Sequence, residues 1–227
     1  MTTTSSPILV KICGTRTVEA AKVAIESGAD LIGMICVPNV KRTVAPDQAK
    51  AISRAVREFR EQRPEHSILP DDDIDKWFIG HVENIRKRAP LVVGVFRNQP
   101  LEEVLALQKE YELDIVQLHG SEPLEWAELI PVPVMKKFGP LDEDIMKPGL
   151  HSLALLDGGG GEGQLISWDN LPTTGKFILA GGLTPENVAM AVKNANVGGV
   201  DVSSGVETSG LHDHEKIKMF IQNARAI

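Results

Sequence analysis

Two glycine-rich turns, AGGLTPENV at 180–188 and VDVSSGVE at 200–207, each run straight off a short apolar, β-like segment. Glycine lets a backbone come close to a ligand, and successive N–H groups aimed outward from a turn form a concavity that holds an anion. Gly181 and Gly182 in the first turn, and Ser203, Ser204 and Gly205 in the second, therefore read as the two halves of one phosphate site. Three other residues could move protons. Cys13 precedes Gly14 at the end of an apolar run, Asp157 stands before GGGGEG, and His119 closes the run DIVQLHG. Each has a plainer reading: a cysteine as a small buried hydrophobe, an aspartate as a turn cap, a histidine as a hydrogen-bonded core residue. For Cys36, which has no partner motif, the plain reading stands.

These groups must be positioned by something regular. The chain alternates β-branched runs with amphipathic stretches, which predicts a parallel sheet with helical crossovers. Strands are expected at Ile8 to Cys13, Asp30 to Cys36, Leu91 to Phe96, Asp114 to His119, Val132 to Phe138, His151 to Asp157, Lys176 to Ala180 and Gly199 to Ser203. Helices are expected at Val18 to Ser27, Asp47 to Glu61, Leu101 to Tyr111, Leu124 to Leu129, Pro185 to Asn194 and His214 to Ala224, with weaker ones near Asp142 and Trp168. Eight strands are what a closed (β/α)8 barrel of the TIM type requires, and 227 residues suit a single domain of that kind, 1–227. The two glycine turns then follow strands 7 and 8, where such barrels hold phosphate.

A strand period of two puts Leu9, Lys11 and Cys13 on one face, and likewise Gln117 with His119, Leu155 with Asp157, and Asp201 with Ser203. Closure makes strands 1 and 8 neighbours, so Lys11 and Asp201 are the natural partners for two buried charges. The polar stretch from Arg60 to Pro90 exceeds an ordinary connection. It lies between helix 2 and strand 3, on the face opposite the chemistry, and reads as a surface insertion whose Trp77, Phe78 and Ile79 pack on the outer helices.

A net charge of -7 and a pI near 5.4 argue against nucleic acid or an anionic membrane as partner. No apolar run approaches a membrane span and the start MTTTSSP lacks a signal-peptide pattern, so the cytoplasm is the expected compartment. Two cysteines make no disulfide framework, and no Cys/His spacing reads as a metal site.

Taken in order, KICGT at 11–15, GMICVPNVKRTVAP at 33–46, VGVFRNQP at 93–100, DIVQLHG, LLDGGGGEG at 155–163 and the two glycine turns resemble phosphoribosylanthranilate isomerase, most of all its fungal monofunctional form. The resemblance runs from about Ile8 to the C-terminus, the Arg60–Pro90 insertion and the Pro140 to Gly149 region excepted. Two departures stand out: Val40 where the family often has a hydroxyl residue, and Glu162 where it often has Thr or Ser. The resemblance implies a phosphorylated small-molecule substrate, no cofactor, a monomer as the expected state, and an Amadori rearrangement in tryptophan biosynthesis. Asp157 matches the general acid that opens the furanose, which calls for a carboxyl protonated near neutrality. Cys13 matches the base, and a thiol ionising near about 8.5 needs a cation or N–H dipoles to help it. Arg42 matches the position that grips the anthranilate carboxylate, with Gln117 and His119 lining the site. A sugar-phosphate epimerase would share the phosphate loops but carry a metal-binding histidine and an acidic pair at the rim. Here strand 2 ends in Cys36 and Val37. A non-catalytic binding module would tolerate loss of Cys13 or Asp157, and both are present.

Overall fold

The structure, a computed structural model, describes residues 8–62, 82, 85–139, 142, 151–157, 171, 176–194 and 196–226. Eight parallel strands close into a barrel in sequence order: β1 Leu9–Ile12, β2 Leu31–Ile35, β3 Leu91–Phe96, β4 Ile115–Leu118, β5 Val134–Phe138, β6 Leu153–Asp157, β7 Phe177–Ala180 and β8 Val197–Val202. Outside them lie α1 Val18–Glu26, α2 Pro46–Glu61, α3 Leu101–Glu110, α4 Val188–Ala191 and α5 His214–Ala224. A short antiparallel pair, β9 Glu207–Thr208 and β10 Leu211–His212, follows β8.

The helix starts follow local chemistry. Thr17 caps α1 by accepting from the Ala20 N–H at 3.2 Å, Pro46 opens α2 where its missing N–H leaves no gap, and Asp213 caps α5 through the Glu215 and Lys216 amides. Three expected elements differ. Leu124–Glu128 forms a 3-10 helix rather than an α-helix, with Pro131 and Pro133 close behind to bar its extension. β5 begins at Val134 rather than Val132 because Pro133 has no N–H to donate. The helix expected over Pro185–Asn194 is regular only over Val188–Ala191, with turns on either side. The weaker helices expected near Asp142 and Trp168 lie outside the described residues, Asp142 itself apart.

The strand period sorts the core into two shells. Val10, Ile12, Ile32 and Val200 pack outward against helical Ala21, Ile52 and Phe220, whereas Leu9, Leu31, Leu91, Ile115 and Leu155 fill the barrel. Val82 and Ile85, both 5% exposed, belong to the inner cluster. The end of the insertion therefore joins the interior of the barrel rather than its outer surface. Trp77, Phe78 and Ile79 lie outside the described residues. At the same face Arg60 bonds the Pro90 carbonyl at 3.3 Å and Asp114 at 3.1 Å, tying α2 to the strands that follow.

Candidate active site

The C-terminal ends of the strands surround a cavity of ≈ 250 Å³. Cys13, Arg42, Gln117, His119, Asp157, Gly181, Gly182, Ser203, Ser204 and Gly205 all line it, so the structure brings every expected site residue to one place.

Cys13 ends the β1 run with its amide donated to the Val202 carbonyl at 2.8 Å and its side chain almost wholly buried. Below it Lys11, fully buried, meets the Asp201 carboxylate at 2.8 Å across directly paired residues of β1 and β8. Burial works to lower the Lys11 pKa, but the interactions of the lysine, above all with the Asp201 carboxylate, outweigh it and the net shift is upward, so the lysine is a cation. Burial pushes the Cys13 thiol up, Lys11 opposes, and Asp201 reinforces the rise. The thiol at rest is thus protonated. Gly33 makes the room for this arrangement: a Cβ there would lie 2.8 Å from Cys13 Sγ and 3.1 Å from Lys11 Cε.

Asp157 ends β6, 8% exposed, with its Oδ2 3.5 Å from His119 Nε2. Gln117 Nε2 lies 2.9 Å from His119 Nδ1. With the amide donating, Nδ1 accepts and the imidazole proton sits on Nε2, toward the carboxylate. Glu122 holds the same rim in place by accepting from the Asn98 amide at 2.7 Å, the Gly120 amide at 2.8 Å and Lys136 at 3.1 Å. The motif reading did not single out Glu122 or Lys136. A carboxylate four residues past a strand is a common surface feature, and only the fold shows it buried.

Arg42 reaches the cavity from the loop after β2. Thr43 braces that loop, accepting from the Val40 amide at 3.1 Å and donating to the Val37 carbonyl at 2.7 Å. The guanidinium is held by Glu207, Nε to Oε1 at 2.8 Å and Nη2 to Oε2 at 3.0 Å. Ile35, Val37, Val40 and Val95 form an apolar wall along the same cavity. Two further cations, Arg97 and Lys137, also line it and escaped the sequence reading, where they sit as ordinary polar residues of a strand end.

The glycine turns complete the lining. Gly181 and Gly182 take φ of 91° and 66°, values that a side chain resists. Asn187 locks the first turn by accepting from the Thr184 amide at 2.8 Å and donating to the Gly182 carbonyl at 3.0 Å. Gly205 packs on it so tightly that a Cβ would lie 1.9 Å from the Leu183 carbonyl oxygen. Ser203 Oγ is buried with no hydrogen-bond partner among the described residues. Such a group calls for a ligand or water. Glu162 lies outside the described residues. Among the described residues no group of three His, Cys, Asp or Glu is placed to hold a metal ion, and no helix is long and apolar enough to cross a membrane.

The family described as N-(5'phosphoribosyl)anthranilate (PRA) isomerase matches residues 60–223. An N-(5'-phosphoribosyl)anthranilate isomerase from Lipomyces starkeyi is 57% identical, the alignment covering 99% of this chain and 97% of that protein. The phosphoribosyl anthranilate isomerase of Thermus thermophilus superposes with a TM-score of 0.74 at 33% identity, over 96% of this chain and 99% of that one. A second solved isomerase, in complex with reduced 1-(o-carboxyphenylamino)-1-deoxyribulose 5-phosphate, gives 0.69 at 32% identity over 97% of this chain and all 100% of its own. Full-length identity and a shared barrel agree, and this chain belongs to the N-(5'-phosphoribosyl)anthranilate isomerase family.

Proposed function

We infer that this chain isomerises N-(5-phosphoribosyl)anthranilate to 1-(2-carboxyphenylamino)-1-deoxyribulose 5-phosphate, with Cys13 as base and Asp157 as acid. The observation that carries the reading is that both side chains line one cavity together with Arg42, an apolar wall and the two glycine turns. That set of groups suits a substrate that carries both a benzoate and a phosphate.

Asp157 gives its proton to the furanose oxygen as the C1′–O bond breaks, and the anilino nitrogen supplies the electron pair that forms the C1′=N iminium. His119, donating from Nε2, orients the carboxyl and stabilises the carboxylate left behind. Cys13 then takes the C2′ proton, whose electrons form the C1′=C2′ bond and neutralise the iminium nitrogen. Tautomerisation of this enolamine moves the proton of the 2′ hydroxyl to C1′ and leaves the ketone. The thiol is protonated at rest, and the cationic iminium appearing beside it favours the thiolate at the step that needs it. The backbone of Gly181, Gly182 and Gly205 with Ser203 and Ser204 holds the phosphate, Ser203 Oγ finding there the partner it lacks. Gln117 positions His119 from below.

The test is direct. Purified protein should consume N-(5-phosphoribosyl)anthranilate and the gene should restore growth of a tryptophan auxotroph lacking this isomerase. A folded, soluble protein that does neither would refute the reading. Catalysis in the cytoplasm by a monomer is the further expectation, checked by fractionation and sedimentation.

A further inference from the structure

Arg42 does not stand alone in the cavity. Its guanidinium has five N–H donors in a planar fork. Glu207 takes two of them, on the Nε and Nη2 edge, with a side chain only 6% exposed. No other acceptor among the described residues engages the remaining three. The edge formed by Nη1 and the second Nη2 proton is thus left for another carboxylate, which it can bind with two parallel bonds.

Glu207 is in turn held by a purpose-built hairpin. β9 and β10 are joined by Ser209 and Gly210 at φ of 53° and 77°, the two consecutive positive values of a tight hairpin turn. Glu207 pairs with His212 across the ladder, and His212 Nε2 lies 3.2 Å from the Cys13 carbonyl oxygen. Lys216 donates to the Glu207 carbonyl at 3.0 Å, and Arg16 donates both to Gly210 at the hairpin tip and to the Lys41 carbonyl beside Arg42. Gly14, at φ of 76°, leaves space for the Arg42 stem, since a Cβ there would lie 3.0 Å from its Cδ. One hairpin therefore touches both the backbone of the base and the side chain of the recognition cation.

We propose that Glu207 is a positioning residue, presented by the β9–β10 hairpin to fix the Arg42 fork so that its free edge meets the substrate carboxylate. This rests on the reading of Arg42 given above. Without the clamp the same cation would swing on its flexible stem, and the aromatic acid would lose its two-bond anchor before the chemistry at C1′ and C2′ is affected.

Glu207→Gln keeps the shape and removes the charge. It should raise KM for N-(5-phosphoribosyl)anthranilate at least about fivefold, keep kcat within about twofold and leave the pH profile of kcat in place. The KM of the N-phosphoribosyl aniline analogue, which has no carboxylate, should not change, and Glu207→Asp should recover part of the loss. In an Arg42→Ala background Glu207→Gln should add nothing, because its effect passes through the arginine. Should Glu207→Gln not fold, the Arg42→Ala variant with added guanidinium ion reads the same clamp, with partial recovery of KM expected. An unchanged KM in Glu207→Gln, or losses that simply add in the double variant, would overturn this inference while the Arg42 reading survived. An unchanged KM in Arg42→Ala would overturn both, which separates the two failures.

Discussion

Lys11 and Asp201 occupy directly paired positions of β1 and β8 and meet at 2.8 Å inside the barrel, with Cys13 next on the same interior face. The pair solves one problem and sets another. Each charge neutralises its partner's burial, so the barrel tolerates both, but Asp201 also weakens the help that Lys11 gives to the thiol. The outcome is a base that is protonated until its surroundings change.

Replacing Lys11 by methionine keeps the stem and removes the cation, the largest influence opposing burial on Cys13. The thiol pKa should rise further, so that at any given pH less thiolate is present and the rising limb of kcat/KM moves to higher pH. Alkylation of Cys13 as a function of pH, in a Cys36→Ser background, reads this without relying on turnover. A midpoint that stays put or falls would contradict the assignment.

Asp201→Asn leaves a wholly buried lysine without its carboxylate. Breaking such a pair from one side costs on the order of 3–5 kcal/mol. Urea unfolding should show a loss of at least about 3 kcal/mol, and a loss below about 1 kcal/mol would mean that water or rearrangement compensates.

The chemistry itself depends on two proton carriers. Cys13→Ala and Asp157→Asn should each lower kcat at least about a hundredfold in protein that melts normally, and the wild-type kcat/KM should be bell-shaped in pH. Near-normal turnover in either variant would remove that residue from the mechanism.

Much of this was legible in the chain because the period of two carries direction as well as element type. Lys11, Gln117, Asp157 and Asp201 were placed inside the barrel by alternation alone, and the structure puts them there. What stayed hidden depends on contacts across long separations. Glu207 appears in a recognised motif, yet nothing local says that it reaches Arg42, 165 residues earlier. Likewise Val82 and Ile85 carry no period of their own in a polar stretch, and only closure of the barrel creates the hole they fill.

Arg42→Ala should raise KM strongly, and Arg42→Lys should restore only part, because an ammonium cannot form two parallel bonds or satisfy Glu207 in the same way. An analogue without the carboxylate should bind wild type and Arg42→Ala about equally. If the variant still discriminates between the two ligands as wild type does, the carboxylate is held elsewhere, with Lys137 and Arg97 the other cations of the cavity among the described residues.

The base of the barrel supplies the last prediction. Val82 and Ile85 belong to the interior cluster that includes Leu9, Leu31 and Leu91 at strand starts, whereas every proposed catalytic group lies at strand ends or in the loops that follow them. Ile85→Ala should therefore cost about 2–5 kcal/mol by cavity formation while changing kcat/KM less than about threefold. Replacing Glu65 to Val82 by a short Gly/Ser linker should also lower Tm, since it removes the Val82 contact, and should leave the folded fraction equally active. A well-folded variant of either kind with a large loss of turnover would mean that the base of the barrel communicates with the rim, and the separation of stability from chemistry argued from the two faces would fail.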